Sequence, residues 1–346
     1  MKTLQQIIMF DSDIVQENFQ IKKNIARVKL MCGDYLEKTK KHSVRNKTLT
    51  CTESEMKLLS VKMLYLIDSI NVNSLINRII NQDLEMALPF MPKNFIDLLV
   101  LDPPYNLTKN YGGYVFRACD ANDYIIWFEQ MLNNILPMLR TNASVYVCSD
   151  WKTSNLIFPV LDKYLHVRNR ITWEREKGRG AKKNWKNNTE DIWFATVGED
   201  YCFNVEDVKL KKHVIAPYRS ENGEPKDWQE SKGKKYRFTY PSNLWSDITI
   251  PFWSMPENTN HPTQKPEKLI AKLILASSKP GDFIFDPFLG SGTTAVVANK
   301  LNRKFVGIEK NKEYCCLAIK RLTKAKTDKR IQGYADGVFL ERNTLC

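Results

Sequence analysis

Between residues 79 and 196, apolar positions fall in short runs that alternate with amphipathic stretches, a rhythm that predicts an α/β sheet. The apolar run at 95–101 predicts a buried strand. It ends directly on Asp102-Pro103-Pro104-Tyr105, where two successive prolines exclude both a helix and a sheet ladder. Beyond it the spacing predicts a helix over 123–139, a strand over 143–148, a helix over 151–161, and strands over 167–173 and 192–197. Sequential units of this kind favour a doubly wound, mostly parallel sheet with helices on both faces. Residues 198–260 break the rhythm with loop-like polarity, several aromatics and the run Lys232-Gly233-Lys234-Lys235-Tyr236-Arg237, which predicts an inserted module. The rhythm then resumes with a helix over 266–277, a strand over 283–285, a helix over 293–301, a strand over 305–308, one further helix and a short tail. At the other end, residues 1–75 are polar and lysine-rich with weak helical spacing, as at Met56, Leu59, Met63 and Leu66. The expected organisation is a helical extension over 1–75, one half of the sheet domain over 76–197, an insert over 198–260, the second half over 261–325 and a tail over 326–346.

Composition narrows the partners. The 346 residues are 43% hydrophobic, enough for one large core and a smaller module. Lysine and arginine number 52 against 39 acidic residues, a formal charge of +13, so the surface field favours a polyanion, with nucleic acid as the natural partner. Solubility or a small anionic substrate would explain the same balance. The cysteines at 32, 51, 119, 148, 202, 315, 316 and 346 include no CxxC pair and stand at no metal-ligand spacing with His42, His166, His213 or His261. This argues against zinc and for reduced thiols. No apolar run reaches the roughly 18 residues of a membrane span, and residues 1–10 are too polar for a secretory core. A soluble, cytoplasmic protein with no metal and no membrane partner is expected.

Two segments carry chemistry. In Phe285-Asp286-Pro287-Phe288-Leu289-Gly290-Ser291-Gly292-Thr293-Thr294 a strand runs into a glycine-containing loop that opens a helix, and Gly290 and Gly292 permit a tight turn and close approach to a ligand. The next strand ends on Glu309, where a carboxylate can accept hydrogen bonds from ribose hydroxyls. A Gly-x-Gly loop alone also fits an ordinary turn or a dinucleotide site. Asp286, however, would repel a pyrophosphate and attract the sulfonium and ammonium groups of S-adenosylmethionine. The second segment, Asp102-Pro103-Pro104-Tyr105, again lies at the carboxyl end of a strand, where open α/β sheets bind ligands. An exocyclic amine of a base is a poor nucleophile because its lone pair is delocalised. Hydrogen bonds to Asp102 and the Pro103 carbonyl would favour a tetrahedral nitrogen and stabilise its developing positive charge. Pro104 stiffens the turn, and Tyr105 could stack on a base extruded from the duplex.

With both motifs in hand, the chain resembles the β-class, permuted amino-methyltransferases of DNA, over roughly residues 79–322. Asp102, Pro103, Pro104 and Tyr105 match the catalytic motif, and Asp286, Phe288, Gly290, Ser291, Gly292 and Thr293 fall in the cofactor loop. Glu309 matches the ribose-binding acid. The resemblance implies a Rossmann-like sheet, S-adenosylmethionine as cofactor and double-stranded DNA as partner. In His261-Pro262-Thr263-Gln264-Lys265-Pro266 it places Thr263 and Lys265 near the cofactor carboxylate, although a plain helix start would read the same way. Asp83 stands where relatives carry an acid near the cofactor adenine, with Gln82 in place of a common glycine. Ile171-Thr172-Trp173, followed by Asn188-Thr189-Glu190-Asp191, also resembles the family. Between them Arg175, Lys177, Arg179, Lys182, Lys183 and Lys186 could follow a phosphate backbone or form a merely solvated loop. In the insert, Lys232, Lys234, Lys235 and Arg237 are candidate phosphate contacts on DNA, with Arg219 or Asn243 as candidate base readers.

Adenine N6 is the first-ranked target because adenine-modifying relatives usually open the motif with aspartate; cytosine N4 is the alternative, and RNA or dependence on a second subunit stays open. The resemblance also allows a homodimer, a cognate restriction endonuclease and association with a prokaryotic nucleoid. A nicotinamide dehydrogenase does not fit, since position 295 is Ala where the fingerprint needs Gly.

Overall fold

The computed structural model describes residues 45–175, 183–215, 217–231 and 233–341. The chain divides into Met1–Asn46 and Lys47–Cys346, and every element named below belongs to the second unit. Its strands are β1 (Arg78–Ile80), β2 (Ile96–Leu101), β3 (Lys109–Tyr111), β4 (Tyr114–Phe116), β5 (Leu139–Ser149), β6 (His166–Glu174), β7 (Thr189–Thr196), β8 (Leu210–His213), β9 (Gln229–Ser231), β10 (Lys234–Thr239), β11 (Leu244–Trp245), β12 (Phe283–Asp286), β13 (Lys304–Ile308), β14 (Tyr334–Ala335) and β15 (Val338–Leu340).

The main sheet runs β1-β13-β12-β2-β5-β7-β6-β11. Its first five strands are mutually parallel. Both faces are covered, which is why β2 is apolar from Leu98 to Leu101: Leu98 and Val100 enter one core cluster while Leu99 and Leu101 enter the other. Parallel strands share a carboxyl edge. That edge carries Asp83 just beyond β1, Glu309 beyond β13, Asp286 at the end of β12, Asp102 beyond β2 and Asp150 beyond β5.

The expected α/β sheet is present, with two departures from the parallel pattern and its predicted boundaries. β7 pairs antiparallel with both β5 and β6, its neighbours in the sheet; antiparallel strands need no helical crossover between them, whereas parallel neighbours do. The helix predicted over 123–139 closes at Ala121–Ile135, followed by a 3-10 turn over Leu136–Met138 that contains Pro137. β5 accordingly begins at Leu139, four residues early, because Arg140, Thr141 and Asn142 are exposed and give no apolar signal.

Residues from the 198–260 zone build most of a second sheet, β14-β15-β8-β10-β9, while β11 returns to the edge of the first. The segment predicted as a tail supplies β14 and β15, with β15 parallel to β8. Before β1, the helix Glu53–Ser60 is closed by a capping box between Thr52 and Glu55 and tied to helix Lys312–Ala325 by a Glu55–Lys320 ion pair at 2.6 Å. Among the described residues no helix is long and apolar enough to cross a membrane.

Candidate active site

The turn after β2 is fixed from both sides. Tyr124, on helix Ala121–Ile135, donates to the Pro104 carbonyl at 2.9 Å, and the Asn106 amide donates to Thr153 Oγ1 at 3.1 Å. The Pro103 carbonyl meets no protein donor among the described residues. Asp102 accepts from Lys265 Nζ at 2.7 Å through Oδ1 and 2.6 Å through Oδ2, and from Tyr105 Oη at 3.0 Å. Tyr105 Oη also lies 3.3 Å from Glu190 Oε2, at the start of β7. Burial first, and then the negative charge of Asp102 and Glu190, push the Tyr105 phenol well above its ordinary range, so it stays protonated and donates. Lys265 is buried, which disfavours its charge; Asp102 and Glu190 outweigh that penalty and hold its pKa above the usual lysine value.

Across the edge, Gly290 (φ +53°) and Gly292 (φ +84°) form the turn that opens helix Thr293–Lys300. A Cβ on Gly292 would stand 2.4 Å from the Ala318 Cβ, so helix Lys312–Ala325 packs there only against glycine. Glu309 accepts from the Gly290 amide at 2.9 Å and from the Asn311 amide at 2.7 Å, and burial raises its pKa against these donors. Asp286 accepts from the Phe288 amide at 3.0 Å, and burial pushes it up to about 7.

A cavity of about 320 Å³ joins the two motifs. Asp83, Asp102, Pro103, Pro104, Tyr105, Thr263, Lys265, Phe288, Gly290 and Glu309 line it, so most of the residues proposed for catalysis and cofactor binding meet in one space. Asp286 sits buried beneath it, while Ser291 and Thr293 turn away: Arg321 donates to the Ser291 carbonyl and to Thr293 Oγ1, both at 3.0 Å. Lys265, expected beside the cofactor carboxylate, grips Asp102. Asp83 caps helix Leu84–Ala87 and pairs with Lys310 at 2.8 Å.

Sequence reasoning missed four parts of this wall. Glu190 lies in the Asn188-Thr189-Glu190-Asp191 segment, whose sequence gives it no role. His261 packs edge-on against Tyr314 at 4.4 Å and is held neutral, its pKa lowered by burial to about 4. Tyr111 and Tyr114 reach the cavity from the β3–β4 hairpin. The exposed turn of that hairpin gave no apolar pattern, but Gly112-Gly113 after aromatic and polar positions was an available turn signal.

The basic candidates separate. Arg175 donates to Glu190 Oε1 and lines the cavity, so it is engaged by the site. Lys183 and Lys186 are exposed, beside a Trp185 that is 93% exposed. Lys177, Arg179, Lys182 and Lys232 lie outside the described residues. Between β8 and β9, Arg219 lies over the Trp228 ring, as does Lys235 of β10; Arg237 of β10 pairs with Asp227 at 3.1 Å, and Lys234 is exposed. Asn243 is spent on the Arg170 carbonyl at 3.0 Å.

A family model described as DNA methylase matches residues 96–320. The chain is 33% identical over 251 residues to the DNA adenine methyltransferase YhdJ of Escherichia coli (strain K12), covering 70% of this chain and 82% of that protein. It is 32% identical over 248 residues to the type II methyltransferase M.HpaI of Haemophilus parainfluenzae, covering 71% and 74%. In fold it is similar to a PvuII DNA methyltransferase described as cytosine-N4-specific, with a TM-score of 0.54 at 17% identity over 77% of this chain and 93% of that one.

Proposed function

This chain belongs to the DNA methylase family that covers N6-adenine and N4-cytosine enzymes, and from that premise we propose that it methylates adenine N6 in DNA with S-adenosylmethionine as donor. The observation that carries the reading is the juxtaposition of Asp102, held at a strand end by Lys265 and Tyr105, with Gly290 and Glu309 across one cavity. The residues present suit the donor. Gly290 leaves no side chain between loop and ligand, Glu309 offers a carboxylate for ribose hydroxyls, Phe288 an apolar surface, and Asp286 a buried acid for a cation. Thr263 and Asp83 complete the proposed cofactor wall. When bound, S-adenosylmethionine supplies a methyl group on a sulfonium, an electrophile for an amine.

The protein's own part is to prepare the amine. Asp102 and the Pro103 carbonyl accept its two protons as hydrogen bonds, draw the nitrogen toward tetrahedral geometry and stabilise the positive charge that grows on it. Rigid prolines hold both acceptors before the base arrives. Tyr105 and the hairpin tyrosines provide aromatic surface for an extruded base. Asp102, where cytosine-modifying relatives more often carry serine, favours adenine, as does the name of the E. coli relative. We assign residues 198–260 to target recognition, with Lys183, Lys186, Arg219, Lys234 and Lys235 as DNA contacts. The restriction-modification relatives make a cognate endonuclease and a homodimer the partners to look for.

The test is incubation with unmethylated bacterial DNA and labelled S-adenosylmethionine, followed by digestion to nucleosides. N6-methyladenine is expected; N4-methylcytosine would keep the chemistry and overturn the target.

A further inference from the structure

We propose that Lys265 is a placeholder for the target amine, occupying its site on Asp102 until a base arrives, and that Glu190 is the positioning residue that receives the displaced ammonium. The inference rests on the reading of Asp102 as the amine's acceptor. A carboxylate offers about four lone-pair directions. Oδ1 already accepts from both Lys265 and Tyr105 and Oδ2 from Lys265, which leaves one. That one direction suffices for the single hydrogen bond an amine makes to Asp102, but the amine also needs the full negative charge that the ammonium now neutralises.

Displacement requires a second anion within reach, since a charged lysine stripped of its partner in a buried site is costly. Glu190 meets the requirement. Its Oε2 lies 3.5 Å from Lys265 Nζ, against 2.6 Å for Asp102 Oδ2, so a movement of about an ångström exchanges one carboxylate for the other. Only 4% of Glu190 is exposed, and Arg175 holds its other oxygen through Oε1, leaving Oε2 aimed at the lysine. Tyr105 Oη bridges the two acids at 3.0 and 3.3 Å and accepts from Lys265 at 3.2 Å, so the ammonium keeps a partner throughout the transfer.

A double-mutant cycle on the full chain tests this, with kcat and KM for unmethylated bacterial DNA and the affinity for S-adenosylmethionine measured on each variant. Glu190→Gln is expected to lower kcat/KM for DNA about tenfold or more in the presence of Lys265, and by no more than about twofold in the Lys265→Met background. Within each background Glu190→Gln should leave cofactor affinity within about twofold, which a general collapse of the site would not allow. Equal losses from Glu190→Gln in both backgrounds would overturn the proposal. If Glu190→Gln does not fold, Glu190→Asp, which keeps the charge but shortens its reach, runs through the same cycle with the same two outcomes. A wild-type chain that methylates no DNA would instead contradict the underlying reading, so the two failures are distinguishable.

Discussion

Asp102 accepts hydrogen bonds from Lys265 and Tyr105 in the structure and is assigned the amine in the reaction, so its charge and its shape can be separated by substitution. Asp102→Asn keeps the shape and removes the charge; methyl transfer should fall by at least about a hundredfold, read as labelled methyl in DNA. Asp286 makes a pH prediction. Its pKa stands at about 7 against an ordinary 3.8, because burial disfavours the charged form. The folded state therefore holds this proton more tightly than the unfolded chain. The stability it contributes is complete below about pH 4 and is lost as the pH rises toward 7. Asp286→Asn should flatten that slope in the cofactor-free protein, gaining up to a few kcal/mol at pH 8 relative to pH 4 when compared with wild type in urea unfolding. Asp102, Tyr105, Gly290 and Glu309 were legible in the sequence because each follows an apolar strand, the first three in a proline- or glycine-containing turn. The Asp102–Lys265 pair was not, since 163 residues separate its members and spacing carries no record of which distant side chains meet.

The β3–β4 hairpin forms one wall of the cavity and meets the far side through Gly112 and through Tyr114, whose ring lies under Lys310 Nζ at 4.7 Å. Gly112 has φ +60°, and a Cβ there would lie 2.6 Å from Asn311 Nδ2 and 3.0 Å from Tyr314 Oη. Gly112→Val should lift the hairpin and weaken S-adenosylmethionine binding about fivefold or more in calorimetric titration, at a cost to stability of about 1–3 kcal/mol. Gly292→Ala acts elsewhere, in the core between two helices, and should cost about 1–3 kcal/mol in urea unfolding. Strands buried on both faces, such as β2 and β12, were plain from their continuous apolar runs, and so were the helices packed on them. The antiparallel place of β7 was hidden because the same apolar run serves a strand of either direction. The β3–β4 hairpin was hidden because it packs on the surface of the site and has little apolar pattern of its own.

For the whole molecule, the charge of +13 implies DNA binding that weakens linearly with the logarithm of salt concentration. Lys183→Ala with Lys186→Ala should reduce that slope by about two while cofactor affinity holds, as judged by fluorescence anisotropy across a salt series. An unchanged slope would remove the β6–β7 loop from the DNA interface. The same fold explains why net charge announced a polyanion without locating it: Arg175 and Arg237, prominent in the basic runs, are engaged by Glu190 and Asp227, while Lys183, Lys186 and Lys234 are exposed. The cavity at the ends of β2 and β12 is assigned one chemical act, bringing a base amine to a methyl donor. Labelled methyl transfer to unmethylated DNA, with wild type and Asp102→Ala side by side and cofactor binding measured on both, addresses it directly. The expected result is N6-methyladenine from wild type and none from the variant; a variant that binds cofactor and methylates DNA at the wild-type rate would contradict it.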